Sequence, residues 1–182
     1  MVMLWFCGCN EKGNGPKPVE HYLFAQVNKM DWRVKESMIG AARAQLHYDE
    51  SFKFHHLTIS ASKDSVMADG NKYTMNINIR HTASSGRFEF AENPLPGYSV
   101  SGNLVITRPD GETHIRGASI DGYIDISELT WHDLKGTLAF TAVTAKSTSY
   151  GGYPGGDTIR FENGRFHVAL VGGRDDRWQW PK

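Results

Sequence analysis

Beyond residue 9 the 182-residue chain contains no cysteine, because its two cysteines are Cys7 and Cys9. A disulfide framework is thereby excluded for the body of the protein. A Cys-x-Cys pair is also too close for a comfortable structural bridge, and it supplies only two of the four ligands of a structural zinc site. An excess of either charge is missing as well: Lys plus Arg and Asp plus Glu both number 20, so the formal net charge is zero. Without a basic field there is no phosphate counterion release to drive nucleic-acid binding, and nucleic acid is not expected as a partner. No segment approaches the ~20 consecutive apolar residues of a transmembrane helix. Recognisable catalytic or metal spacings are lacking too, so neither a cofactor nor a metal is expected.

What is present is a globular composition, with 40% hydrophobic and 12% aromatic residues. At this length one domain can bury a core without covalent staples.

The amino end has its own organisation. Met1 to Phe6 is wholly apolar, Cys7-Gly8-Cys9 follows, and residues 10–18 turn abruptly polar and rich in Gly and Pro. An apolar run, a small residue, a cysteine and a polar stretch is the order of a secretory signal and its cleavage site. The segment resembles a lipobox, with Gly8 before the cleaved bond and Cys9 as the lipidated residue. The expected organisation is a signal segment at 1–9, a flexible tether at 10–20 and a folded domain at 21–182. No Lys or Arg precedes the apolar run, and the run is shorter than the usual roughly 7–15 residues, so a start upstream of Met1 is expected. The competing reading makes Met1 to Phe6 a buried strand of a cytosolic protein, but a strand feeding a core rarely continues into Gly/Pro-rich coil. Two or more acyl chains, at about 0.8 kcal/mol per buried CH₂, would hold the protein on a membrane.

From His21 onward the dominant period is two, with turn residues at short intervals, which predicts an antiparallel all-β domain, a β-sandwich or a barrel. Tyr22 to Val27 and Asp31 to Val34 flank a turn at Asn28-Lys29. Met75, Ile77 and Ile79 alternate with Thr74, Asn76 and Asn78. Ser37 to His47 fits a helix or a strand, and the strand is favoured. Tyr98 to Thr107 leads through Arg108-Pro109-Asp110-Gly111 into Thr113 to Arg116, a predicted hairpin. Further strands are expected at Gly122 to Ile126, Gly136 to Thr144, Asp157 to Phe161 and Arg165 to Val171. The last two are expected to be joined by a tight turn at Asn163-Gly164, with Gly164 supplying the positive φ. Ser147 to Gly156 reads as a Gly/Tyr-rich loop.

Leu134-Lys135-Gly136-Thr137-Leu138-Ala139-Phe140-Thr141-Ala142, followed by Arg160-Phe161-Glu162-Asn163-Gly164-Arg165-Phe166, resembles the closing motif of a family of small bacterial envelope lipoproteins of unknown function. In that family the motif runs Gly-Thr-Phe-Ser-Phe-Thr-Ala and then Asn-Gly-Lys-Phe. Val27-Asn28-Lys29-Met30-Asp31-Trp32 is similar to its opening hairpin, where Asn-Gly usually stands in place of Asn28-Lys29. The resemblance covers both ends of the domain and brings no catalytic residues. It implies a lipid-anchored sandwich or barrel-like domain in the bacterial outer envelope, facing the periplasm or the cell surface.

The remaining candidates for chemistry are sparse. Gly97-Tyr98-Ser99-Val100-Ser101 lacks the final glycine and the following helix of a nucleophile elbow. Asp121 and Asp125 share a strand face but stand ~13 Å apart at about 3.3 Å per residue, too wide for glycosidic acid pairs at about 5–9.5 Å. His55 and His56 must point to opposite faces of one strand. The other histidines show no ligand spacing and read as surface or hydrogen-bonded side chains. Tyr150 and Tyr153, in the glycine-rich loop, and Trp178 and Trp180, on one face of the tail, can stack on a sugar or peptide. The plain alternatives are an uncommitted connection for the first pair and packing of a terminal strand for the second. The expected function is a non-enzymatic binding or structural module for a glycan or protein partner at the envelope, held to the membrane through its lipid. The alternative is an envelope hydrolase whose site assembles only in three dimensions.

Overall fold

The computed structural model of the chain describes residues 19–35, 40–49, 54–63, 65–80, 85–91, 100–110, 114–146 and 153–171. The signal segment with Cys9, the tether up to residue 18, Tyr150, Trp178 and Trp180 lie outside them. Every regular element among the described residues is a strand: β1 (Tyr22–Val27), β2 (Met30–Lys35), β3 (Gly40–Asp49), β4 (Phe54–Lys63), β5 (Lys72–Arg80), β6 (Gly86–Ala91), β7 (Val100–Thr107), β8 (His114–Leu129), β9 (Asp133–Lys146) and β10 (Tyr153–Val171). Seven of them, β3, β4, β5, β7, β8, β9 and β10, pair in that order, and β10 returns to β3, which closes a barrel. The closing contact is parallel, Leu170 beside Ala44, whereas the other pairings are antiparallel. The expected all-β, barrel-like architecture is the one observed.

Closure depends on two long strands that each serve two partners along one edge. β10 is 19 residues long and pairs with β9 along one side. On its other side it pairs first with β1, through Phe161 to His167, and then with β3, through Ala169 to Val171. β8 behaves alike: His114 to Ala118 pair with β7, and Asp121 to Ile126 pair with β6. The hairpin β1–β2 and the strand β6 therefore extend the wall beyond the closed ring. Strand β6 and the fusion of residues 114–129 into one strand were not apparent from the periodicity.

The turn expected at Asn163-Gly164 is absent, and the residues form a bulge inside an unbroken β10. Phe161 stands opposite Phe140 and Gly164 opposite Leu138, so an extra residue is accommodated on β10. Asn163 takes φ 52°, and Gly164 is required for a different reason than a positive φ. A Cβ there would lie 2.5 Å from the Leu138 carbonyl oxygen. Asn-Gly encodes a left-handed residue followed by a close approach, and bulges use that geometry as readily as hairpins. The expected loop at Ser147 to Gly156 is likewise shortened, because Tyr153 opens β10 opposite Lys146 and Pro154 pairs with Ala145. Gly156 is there for contact, since its Cβ would meet Thr144 Oγ1 at 2.2 Å.

Other expectations hold. The turn at Asn28-Lys29 joins β1 to β2, both residues having positive φ, 48° and 69°, as a type I′ turn demands. The Asn28 backbone N–H donates to the Arg160 carbonyl at 2.9 Å, and the Asn28 side-chain oxygen accepts from the Arg160 N–H at 2.9 Å, which ties the hairpin to β10. The ambiguous segment is strand from Gly40 on, with Ala42, Ala44 and Leu46 on its buried face.

Alternation assigns one face of every strand to a common core: Leu23, Ala25 and Val27 from β1, Tyr73, Met75, Ile77 and Ile79 from β5, Leu134, Leu138 and Phe140 from β9. Aromatic rings link the extensions to the barrel. Trp32 of β2 meets Phe161 edge-on at 6.0 Å, Phe161 stacks on Phe140 at 4.4 Å, and Phe140 contacts Phe90 of β6 at 5.2 Å. Each such pair adds about 0.5–1.5 kcal/mol to the burial of its rings.

At one end the turn before β5 is held by Asp69. Its carboxylate accepts from the Asn71 N–H at 3.0 Å, the Asn71 amide at 2.9 Å and the Tyr73 hydroxyl at 2.6 Å. Partial burial pushes the Asp69 carboxyl upward, but these hydrogen bonds outweigh it and hold the group below the usual carboxylate range. Burial, then the bond to Asp69, push the Tyr73 phenol far above its ordinary value. A depressed carboxyl contributes stability that is full above its unfolded pKa of about 3.9 and is lost as the pH falls through the folded value. Asp69→Asn should accordingly be less stable than wild type in urea at neutral pH, with the gap closing in acid. A gap that persists unchanged at acidic pH would show that the carboxylate charge is not what matters.

Candidate functional site

The residues that leave the core on β1 and β10 are unusual for a solvated face. Leu23, Ala25 and Val27 take the buried parity of β1, which puts Tyr22 and Phe24 on the opposite one. Register then sets their neighbours. Phe24 stands between Arg33 of β2 and Arg165 of β10, and Tyr22 between Lys35 and His167. The row through Tyr22 continues from His167 to Lys135 of β9 and Glu128 of β8.

Around Phe24 this produces a cationic cradle. The Arg33 and Arg165 guanidinium carbons lie 5.9 and 5.8 Å from the centre of the ring. Contacts of this kind contribute about 0.5–1 kcal/mol each at exposed sites, by attraction to the ring's negative face. Neither arginine has a carboxylate within ion-pair distance among the described residues. Lys35 does, since it pairs with Glu20. The Lys35 ammonium, by hydrogen bond and charge, holds the Glu20 carboxyl below its usual range, with a smaller pull from Arg33. Tyr22, Phe24, Arg33, Lys35, Arg165 and Glu20 line a cavity of about 260 Å³. Arg165 also borders a wider, open cleft of about 780 Å³ that reaches Asn163 and Tyr123, and the Tyr123 ring carries the Arg87 guanidinium at 3.9 Å.

Beside the cradle three chemically active side chains meet. His21, just before β1, directs Nε2 to Asp133 Oδ1 at 2.8 Å, and His167 of β10 directs Nε2 to the same oxygen at 3.1 Å. The rings pack edge to face, 5.3 Å apart. Asp133 opens β9, where its own N–H donates to Thr130 Oγ1 at 3.0 Å and its carbonyl accepts from the Thr130 N–H at 2.9 Å. Burial acts to raise the Asp133 carboxyl, but the bonds from His21 and His167 prevail, and it sits below the usual range. Among the described residues these three are the group of His, Cys, Asp and Glu whose donor atoms come within 4.8 Å of one another, the spacing needed to share a metal ion.

Of the residues singled out by sequence, Tyr150, Trp178 and Trp180 lie outside the described residues. Tyr153 lies in β10 and not in a loop, and His55 and His56 are successive residues of β4, paired with Tyr48 and His47. The His21–Asp133–His167 cluster was invisible to spacing, its members being 112 and 34 positions apart. The cradle did leave a trace: a phenylalanine and a tyrosine occupy the parity of β1 that alternation assigns to water. Comparisons of the chain with protein-family models, curated proteins and solved structures found no match.

Proposed function

We propose that this chain is a lipid-anchored protein of a bacterial envelope whose barrel binds an acidic glycan on the outer face of β1 and β10. The observation that carries the reading is Phe24, flanked by two guanidinium groups that have no carboxylate within ion-pair distance among the described residues, beside a cavity of sugar-ring dimensions. An aromatic ring offers a stacking surface to a pyranose, while arginine forks match carboxylate or sulfate oxygens two bonds at a time. Net charge is zero, so the positive character belongs to this face and not to the molecule, which favours a local acidic ligand over a polyanion. The anchor rests on Cys9 and the apolar run before it, and on the likeness of the two end motifs to envelope lipoproteins.

Two measurements test the reading. On a glycan array followed by calorimetry, uronic or sulfated sugars should bind and their neutral parents should not. Arg165→Gln or Arg33→Gln should each weaken binding by roughly tenfold to a hundredfold, the equivalent of a charged hydrogen bond at about 1.5–3 kcal/mol. Equal affinity for neutral sugars, or indifference to both substitutions, would remove the site from consideration. For the anchor, a fatty-acid probe fed to expressing bacteria should label the protein, and Cys9→Ala should abolish the label. Unchanged labelling would assign the lipid elsewhere, and no labelling of wild type would refute the anchor.

A further inference from the structure

We infer that His21 Nε2, Asp133 Oδ1 and His167 Nε2 form a binding site for a borderline divalent transition ion of the zinc class. The inference does not depend on the glycan reading.

One carboxylate oxygen is approached by two imidazole nitrogens, at 2.8 and 3.1 Å, with all three donor atoms inside 4.8 Å. Ligands of a tetrahedral zinc ion, with bonds of about 2.0–2.2 Å, stand roughly 3.3 Å from each other, so small side-chain rotations would admit the ion. A bound ion would take the place of the hydrogen bonds that each Nε2 now makes to the carboxylate. Two nitrogens and one oxygen are a donor set that imidazole-preferring metals accept, whereas magnesium and calcium demand more oxygen ligands.

The positions are fixed by backbone and not by loop chance. His167 faces Tyr22 across one pairing and Lys135 across the other, and Asp133 pairs with Ala169, which places the carboxylate one step diagonally from His167. Hydrogen bonds to Thr130 fix the Asp133 backbone. The nearest cation on β9, Lys135, is occupied by Glu128 at 2.9 Å. All three side chains keep partial access to solvent, 18%, 26% and 17% for His21, Asp133 and His167, so an ion can enter and a fourth position stays open to water or an outside ligand. Because His21 immediately precedes β1, the ion would clasp the start of the folded domain to β9 and β10.

The test titrates the full chain, as wild type and with Cys7→Ser and Cys9→Ser combined so that neither thiol competes, with zinc by calorimetry and cobalt(II) by absorption. Expected of the chain lacking both thiols are saturable one-to-one binding, cobalt bands of a four- or five-coordinate nitrogen and oxygen site, a higher midpoint of thermal unfolding with zinc, and no such effects with magnesium; the wild type should bind at least one equivalent. His167→Gln and Asp133→Asn, each checked for native near-ultraviolet dichroism, should lose at least about tenfold in affinity. If either variant fails that check, His21→Gln, outside the strands, takes its place with the same expectation. Absence of saturable binding in the chain lacking both thiols, or affinity unchanged in folded variants, would overturn the site.

Discussion

A strand that must satisfy three neighbours cannot be straight and uniform, and β10 meets that constraint with the bulge at Glu162, Asn163 and Gly164. Along one edge it follows β9 for most of its length, and along the other it passes from β1 to β3. Register changes at the bulge against both β9 and β1, which keeps Phe161 and Phe166 on the buried face on either side of it. Asn163 bears the left-handed backbone, and its side-chain amide donates to Gln26 at 2.9 Å, so the irregularity is itself tied to β1. Without it a residue inserted in one strand would turn every later side chain over, exposing Phe166 and Val168 and burying Arg165 and His167.

The outer face follows from the same geometry. Because the bulge shifts the buried positions of β10 from odd to even residues, Arg165 and His167 emerge beside Phe24 and Tyr22, and the same registers place His167 near Asp133. Core and candidate site are the two sides of one set of strands. Substitutions at Phe161 or Phe166 thus bear on the candidate site through the position of β10, whereas those at Arg165 act on the outer surface.

Much of this was legible in the sequence, and the rest was not for identifiable reasons. Strands with one wet face, such as β5, announce themselves by alternation, and the turn at Asn28-Lys29 sits where short-range chemistry puts it. Asn163-Gly164 misled because a hairpin and a bulge can both place a left-handed Asn before a glycine, and the φ of Gly164 together with the pairing partners on both sides distinguishes them. β8 was read as two short strands, because its change of partner from β7 to β6 leaves no mark in a local window. The meeting of His21, Asp133 and His167 is a product of register among three distant segments, which no spacing rule encodes. Conversely, Tyr153 drew notice as a loop aromatic although it opens β10, while the outward face of β1 carried the aromatic that the arginines flank.

Continuity of β10 through its bulge is what ties barrel closure to the outer face, and cross-strand nuclear Overhauser contacts in the isotope-labelled protein report it directly. An unbroken strand predicts backbone contacts from Val27 to Phe161 and from Leu23 to Phe166, both halves of β10 lying against β1, with Leu170 beside Ala44. Contacts of Glu162 with Arg165 and of Phe161 with Phe166 across a two-residue turn, with either half of β10 missing from β1, would contradict it.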